Sequence, residues 1–348
     1  MTDTPIITQK MIADALKIGK TTVSLALSGN PRIPQATRDK VHAMARTLGY
    51  KPHSFLTDLT NQRWKRKKMS DVTIGYICES QNMRWGGVKD TTEGVILQAA
   101  KLGYHIDFFY FDEYPTAACL QKVLLARGIE ALIINGISET NTFLQLDWHR
   151  FITVSAYPLE TSPAVHAVVQ NHYVNFIKAW RKAVEYGYVR IGTILLDHGL
   201  DLIDDDLRLA GLGICQKRLF PNLAVIEPLE ITASLPQTDL NIIKQIDKWV
   251  KKNRPDAVIG FHGGYHFILR DLGYGSLGFI NLHLPLSQRN DPCHYQSGME
   301  ASNGLIGIET VNLLHMCRKT NQWGIPDRRI DHTVGSVWRE GSTLPRKK

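Results

Sequence analysis

The chain has 348 residues, more than one ordinary core organises, and 43% hydrophobic against 21% charged residues is the composition of a globular protein of two or three domains. Lys and Arg number 41 against 33 Asp and Glu, yet the excess is local: residues 1–70 carry +9 and the remainder −1, as expected when one small domain meets a polyanion. Five scattered cysteines (Cys78, Cys119, Cys215, Cys293, Cys317) without a C-x-x-C pair argue against zinc or disulfide frameworks, and no window reaches the ~18 apolar residues of a membrane span or signal-like run. The expectation is a cytoplasmic protein without membrane contact.

From the N-terminus, three short helical patterns come first. Thr8 can cap a helix whose apolar positions Met11, Ile12, Ala15 and Leu16 recur at helical spacing. After Gly19, a second run puts Val23, Ala26 and Leu27 in an inward stripe, leaving Lys20, Thr21, Thr22, Ser24 and Leu25 mostly outside it, and Ser28, Gly29, Asn30 and Pro31 stop it. Pro34 suits the first turn of a third helix with Val41, Met44, Ala45 and Leu48 inward and Gly49 at its end. Each is too short to stand alone, so the three form one unit. A short helix with small outward residues, braced by two others, suits the DNA major groove, roughly 12 Å wide; a small bundle for protein contacts is the competing reading.

The stretch IADALKIGKTTVSLALSGNPRIPQATRDKVHAMARTLGYKP resembles the helix-turn-helix headpiece of the LacI/GalR family of bacterial transcription regulators. It matches, in order, the alanine of the first helix, the T-V-S of the recognition helix, the T-R-x-K-V of the third helix and the G-Y-x-P exit. The resemblance implies that Lys20 and Thr21 read base edges, while Thr22, Ser24, Asn30, Thr37 and Arg38 hold the phosphate backbone. Where the family commonly has arginine after T-V-S, this chain has Leu25, which cannot donate to guanine but can pack on a thymine methyl. Beyond Pro52 the family has a hinge helix that wedges a leucine into the minor groove. That position is Leu59 here; Leu56 and Thr57 replace the usual Ala-Arg before it, and Asp58 puts an acid where phosphate is expected. The expected DNA contacts thus extend to Leu56 and Leu59, and the basic run Arg63 to Lys68 is either a solvated linker or a further set of phosphate contacts. The expected boundaries are a headpiece over 1–51, a hinge and basic linker over 52–70, and an effector-binding and dimerisation domain over 71–348.

From Val72 strands alternate with helices. Residues 73–78, 105–111, 131–135 and 151–154 read as strands, with helices near 92–102 and 117–127. A second series has strands at 190–195, 223–226, 257–260 and 277–281 and helices at 207–219 and 239–252; a long helix over 299–319 and a strand near 333–337 close it. The fold class expected is an all-α helix-turn-helix headpiece followed by an α/β two-lobed domain with doubly wound parallel sheets. It resembles the periplasmic-binding-protein-like effector domain of the same family. Arg208 with Gly211 matches the family's Arg-x-x-Gly, whose arginine reaches a ligand in the interlobe cleft, and Gln296 matches a glutamine near the return crossover. His262 and Gly263 stand where the family has Asn-Asp, Asn281 where it has an aspartate, and Gln170 and Asn171 where it has Asp-Asn. The effector is thus expected at Arg208, His262, Asn281 and Gln296 by resemblance, with Trp85 added to the same pocket, and the departures remove carboxylates that grip sugars in many members.

Three stretches invite other chemistry. Gly273, Gly275 and Gly278 fit G-x-G-x-x-G, but this loop leaves a helix and enters a strand, the reverse of a dinucleotide loop. Asp201, Asp204, Asp205 and Asp206 suit either a hard cation or a helix dipole. His262 and His266 are at i,i+4 without a third ligand. No catalytic residue, metal or cofactor is expected. The expectation is therefore a DNA-binding transcription regulator, a repressor, with a double-stranded operator, a second copy of the chain as homodimer, and a small-molecule effector of the sugar or derivative class as partners. A solute-binding protein, or an α/β enzyme carrying an added DNA module, are the alternatives.

Overall fold

The computed structural model describes residues 9–27, 30, 32–48, 72–80, 83, 86–135, 145–157, 163–197, 203–232, 239–284 and 295–347. Its first three helices are α1 (Gln9–Leu16), α2 (Lys20–Leu27) and α3 (Gln35–Leu48). Ile12, Ala13, Val23, Ala26, Val41 and Ala45 make their common core, with Leu16, Ile18, Leu27, Ile33, Met44 and Leu48 around it. The inward face of α1 differs from the expected one, since Met11 and Ala15 are exposed and Ala13 is buried. Ala13 packs beside Ile12 in the core shared with Val23, Ala26, Val41 and Ala45. Lys17, at φ 52°, then turns the chain, and the Ile18 N–H returns to the Ala13 carbonyl at 3.0 Å.

The α/β part begins β1 (Val72–Cys78), α4 (Gly86–Leu102), β2 (Tyr104–Tyr110), α5 (Ala117–Ala126), β3 (Ala131–Ile134), β4 (Ile152–Ser155), β5 (His166–Gln170) and α6 (His172–Glu185). It continues β6 (Ile191–Asp197), α7 (Ile203–Ile214), β7 (Leu229–Thr232), α8 (Leu240–Asn253), β8 (Ala257–Gly260), α9 (Gly264–Leu269) and β9 (Gly278–Leu284). Last come β10 (Ser297–Glu300), α10 (Asn303–Lys319), β11 (Asp331–Val334) and β12 (Trp338–Arg339). One sheet has the order β11-β5-β4-β3-β1-β2 and the other β12-β10-β9-β8-β6-β7. The pairs β1 with β2 and β3, and β8 with β6 and β9, are parallel. Strands such as ALII and AVIG are buried along their whole length, because helices cover both faces of a parallel sheet.

Several expected elements shift. Residues 223–226 are irregular, and the strand beside β6 is β7, six residues later. Ile226 is nevertheless buried, with its carbonyl accepting from the Gln216 amide at 2.8 Å; its apolar pattern marks core cover and not pairing. β5 and α6 were not foreseen; α4 starts at Gly86; β10 occupies the first residues of the expected long helix, and the late strand is divided between β11 and β12. By chain contacts the molecule divides into two units, one of Met1–Ile137, Asn141–Val168 and Gly307–Asp331, the other of Ser138–Thr140, Val169–Ile306 and His332–Lys348. In the first, α10 presses on α4 at Gly307, where a Cβ would collide with the Thr91 carbonyl oxygen. A bond from the Gln98 amide to Asn312 at 2.7 Å fixes the same contact further along. Among the described residues no helix is long and apolar enough to cross a membrane.

Candidate functional site

α2 has two unlike sides. Val23 and Ala26 face the headpiece core; Lys20, Thr21 and Ser24 are exposed, and Thr22 and Leu25 half-exposed. The helix is set by the bond from the Val23 N–H to the Gly19 carbonyl at 3.1 Å at its start. At its end the Asn30 N–H closes on the Leu25 carbonyl at 2.9 Å, while the Asn30 side chain accepts from the Arg32 N–H at 2.9 Å. Asn30 therefore shapes the turn into α3. Thr37 and Arg38 follow in the first turn of α3, their N–H groups bonded to the Pro34 carbonyl, and the Arg38 guanidinium donates to Gln35 at 2.5 Å. Leu56 and Leu59 lie outside the described residues, as do Trp85 and Asp201.

In the second unit, side chains converge at the carboxyl ends of β6, β8 and β9, the edge at which open α/β sheets bind ligands. Arg208, 5% exposed, lies on α7. Its guanidinium donates to Asp205 at 2.7 Å and to the His172 ring at 3.2 Å, and its Cζ sits 4.4 Å above the Phe261 ring. His172 Nε2 is 3.2 Å from Asp204 Oδ2. Burial, then the Arg208 charge, pushes the His172 pKa down despite Asp204, so its imidazole is neutral at pH 7, donating to Asp204 and accepting from Arg208. Phe261 stacks in turn on His283, ring centres 5.6 Å apart. Burial and the nearby Arg208, His172 and His262 hold the His283 pKa down at about 3. Asn303 lies 3.2 Å from the His283 ring.

The other expected ligand residues divide. His262 is exposed at the start of α9 and accepts from the Gly264 N–H at 3.0 Å. Asn281 and Gln296 are 1% and 0% exposed and bonded to each other at 2.9 Å. Gln296 also donates to the Gly263 carbonyl, and Asn281 accepts from the His283 N–H, both at 2.9 Å. These two amides position the His262 turn and the end of β9 from behind; neither reaches the surface. The acid cluster is spent likewise: Asp204 and Asp205 hold His172 and Arg208, and no group of three metal-ligating side chains occurs among the described residues. The glycine-rich stretch leaves a π-helical turn (Arg270–Tyr274) containing Gly273 at φ 87° and enters β9. A cavity of about 260 Å³, lined by His266, Ser276 and Tyr295 among others, shares no residue with the Arg208 group.

Residues 8–53 match the family described as "Bacterial regulatory proteins, lacI family". The N-terminal segment thus matches a LacI-family headpiece. The chain is 33% identical over 102 residues to the HTH-type transcriptional regulator MalR of Staphylococcus xylosus, and 31% over 128 residues to RafR of Escherichia coli. These matches cover 28% and 36% of this chain, and the same shares of the two regulators' own lengths. In fold the likeness extends over nearly everything. The cellobiose complex of the regulator CelR gives a TM-score of 0.59 at 16% identity, covering 96% of this chain and 98% of that one. The lac repressor dimer bound to operator and the anti-inducer ONPF gives 0.57 at 17%, covering 98% and 100%. The α/β part thus has the periplasmic-binding-protein-like fold of these solved structures.

Of the side chains gathered around Arg208, sequence reasoning named Arg208 but not His172, Phe261 and His283. A signal existed for one of them. In FINLHL, Asn281 and His283 are polar at alternate positions of an otherwise apolar strand, which marks a polar spot at a sheet end.

Proposed function

We propose that this protein is a LacI-type DNA-binding transcription regulator, a repressor, that binds a pseudo-palindromic operator as a homodimer and responds to a small ligand at the carboxyl edge of its second sheet. The observation that carries it is the outward side of α2, with Lys20, Thr21 and Ser24 presented on a braced eight-residue helix within a segment of net charge +9. The division into headpiece 1–51, linker 52–70 and effector domain 71–348 belongs to the same reading. For the dimer, α4 and α10 leave Ile96, Leu97, Leu305 and Met316 exposed, apolar surface on two packed helices that a second copy would cover. For the ligand, the polar groups around Arg208 are a paired guanidinium and neutral imidazoles, which suits an uncharged polyhydroxyl molecule such as a sugar or derivative.

The test is fluorescence anisotropy of the full chain on a site selected from random duplexes. Affinity should fall steeply with salt, because each neutralised phosphate contributes roughly −0.9 to the log–log slope. A salt-independent affinity rules the DNA reading out. Repeating the titration with neutral mono- and disaccharides tests the ligand edge: a sugar that shifts wild-type affinity should leave Arg208→Ala unmoved.

A further inference from the structure

The cavity of about 260 Å³ in the second unit lies at the amino ends of β9 and β10, the sheet edge opposite the Arg208 group. Ser276 and Leu277 lead into β9, Tyr295 stands just before β10, Ser342 and Pro345 follow β12, and His266 reaches the cavity from α9. Its walls are held by bonds of their own. The Phe279 N–H donates to the Thr343 carbonyl at 2.7 Å, the Thr343 hydroxyl to the Phe279 carbonyl at 2.8 Å, and the Ser342 N–H to the Tyr295 carbonyl at 2.8 Å. The His266 ring is fixed between two others, with centres 5.3 Å from Phe279 and 5.8 Å from Tyr295. A pocket built this way exists before a ligand arrives, which lowers the cost of binding.

The lining is mixed. Leu277, Pro345 and the rings of His266 and Tyr295 supply apolar surface, while the Ser276 and Ser342 residues are exposed at the rim. Among the described residues no Lys, Arg, Asp or Glu lines it. Burial, then the Arg270 charge, pushes the His266 pKa below its ordinary value, so its imidazole is neutral at pH 7 and carries one donor and one acceptor. A packing void would be apolar throughout; this cavity joins apolar walls to a polar rim. Its volume is just under the ~300 Å³ at which pockets for drug-sized molecules begin, which suits one ring and not two. A saturated ring with C–H groups on its faces and hydroxyls around its edge matches that lining, whereas a charged ligand would find no counter-charge.

We propose that this cavity is a second small-molecule site, for an uncharged ring polyol of the monosaccharide or cyclitol class, separate from the ligand edge at Arg208. It shares no residue with that edge and stands apart from the DNA-binding reading. The experiment titrates the full chain with glucose, galactose, mannose and myo-inositol by isothermal calorimetry, beside Arg208→Ala and Ser276→Trp, the latter placing an indole over the mouth from an exposed loop position. At least one of the four should bind wild type with a Kd on the order of 1 mM or tighter. Arg208→Ala should keep that binding and Ser276→Trp should weaken it about tenfold or more; if the same sugar also occupies the Arg208 edge, wild type takes two equivalents and each variant one. A second readout needs only wild type: the His266 ring-proton resonance, identified by its absence in His266→Gln, should shift as that sugar is added. Binding that survives in Ser276→Trp and vanishes in Arg208→Ala overturns the inference and leaves the effector reading standing. It is equally overturned if none of the four binds at about 50 mM, far above a millimolar Kd, or if the His266 resonance stays in place while a sugar binds. Tighter binding of glucuronate, the same ring with a carboxylate, would overturn the uncharged class.

Discussion

Replacing Arg208 by methionine keeps much of the side chain's packing and removes its charge. The consequence can be worked from its surroundings. Arg208 is 5% exposed and the Asp205 side chain 16%, with 2.7 Å between them. Removing one partner of a buried ion pair costs ~3–5 kcal/mol, because a carboxylate is left without compensation. Asp205 keeps some contact with water, which places the loss at the low end, about 3 kcal/mol. For a unit of this size each kcal/mol lowers Tm by roughly 2–4 °C, so the second unit should melt about 6–12 °C earlier by differential scanning calorimetry of the full chain. Adding Asp205→Asn removes the stranded charge and should restore about 1–2 kcal/mol. A drop below about 2 °C, or a double variant as unstable as the sum of the singles, would refute a buried, coupled pair.

Three further outcomes are expected. The folded pKa of His283 lies near 3 and its unfolded value near 6.5, so below pH ~6.5 the unfolded chain binds a proton that the folded one refuses. This contribution to stability is complete above pH ~6.5 and is lost on acidification, by up to about 1.4 kcal/mol per pH unit, until about pH 3; His283→Gln should flatten the urea midpoint between pH 6.5 and 4, and an unchanged acid limb would contradict it. Gly307→Ala forces a methyl onto the Thr91 carbonyl and should cost about 1–3 kcal/mol as overpacking, seen as an earlier melting transition of the first unit; an unaltered Tm would mean that α10 and α4 are not closely apposed. Leu97→Glu places a charge on the proposed dimer face and should yield monomers in sedimentation velocity with weaker operator binding, whereas an intact dimer would move the interface elsewhere.

The headpiece was legible because its signals are local. Gly19, Pro34 and the Val23–Ala26 and Val41–Ala45 spacings each act within a turn or two of the chain, and the helices they predict are the helices found. β7 was misplaced because LAVI at 223–226 is wholly apolar while LEIT at 229–232 alternates with Glu230 and Thr232, and pairing with β6 nevertheless takes the second. α6 had its own signal, since Phe176, Ala179, Trp180 and Ala183 fall at helical spacing and all are buried, but β5 before it is short. The group around Arg208 was half legible. Arg208 stood out by resemblance, yet His172, Phe261 and His283 come from three separate elements and meet only through the sheet order. Asn281 and Gln296 were singled out by resemblance as ligand residues, but both are buried and bonded to each other, as an internal brace.

The strand orders have a consequence for how the chain comes into being. The three N-terminal helices end at Leu48, whereas each sheet takes an edge strand from the last stretch of the sequence, β11 from 331–334 and β12 from 338–339. At a synthesis rate of ~5–20 residues per second, roughly 15 to 60 seconds separate the emergence of a complete headpiece from that of the strands that close both sheets. Within that interval β5, complete at Gln170, waits roughly 8 to 33 seconds for β11, and β10, complete at Glu300, roughly 2 to 8 seconds for β12, each with unpaired backbone that a chaperone or a neighbouring nascent chain can reach.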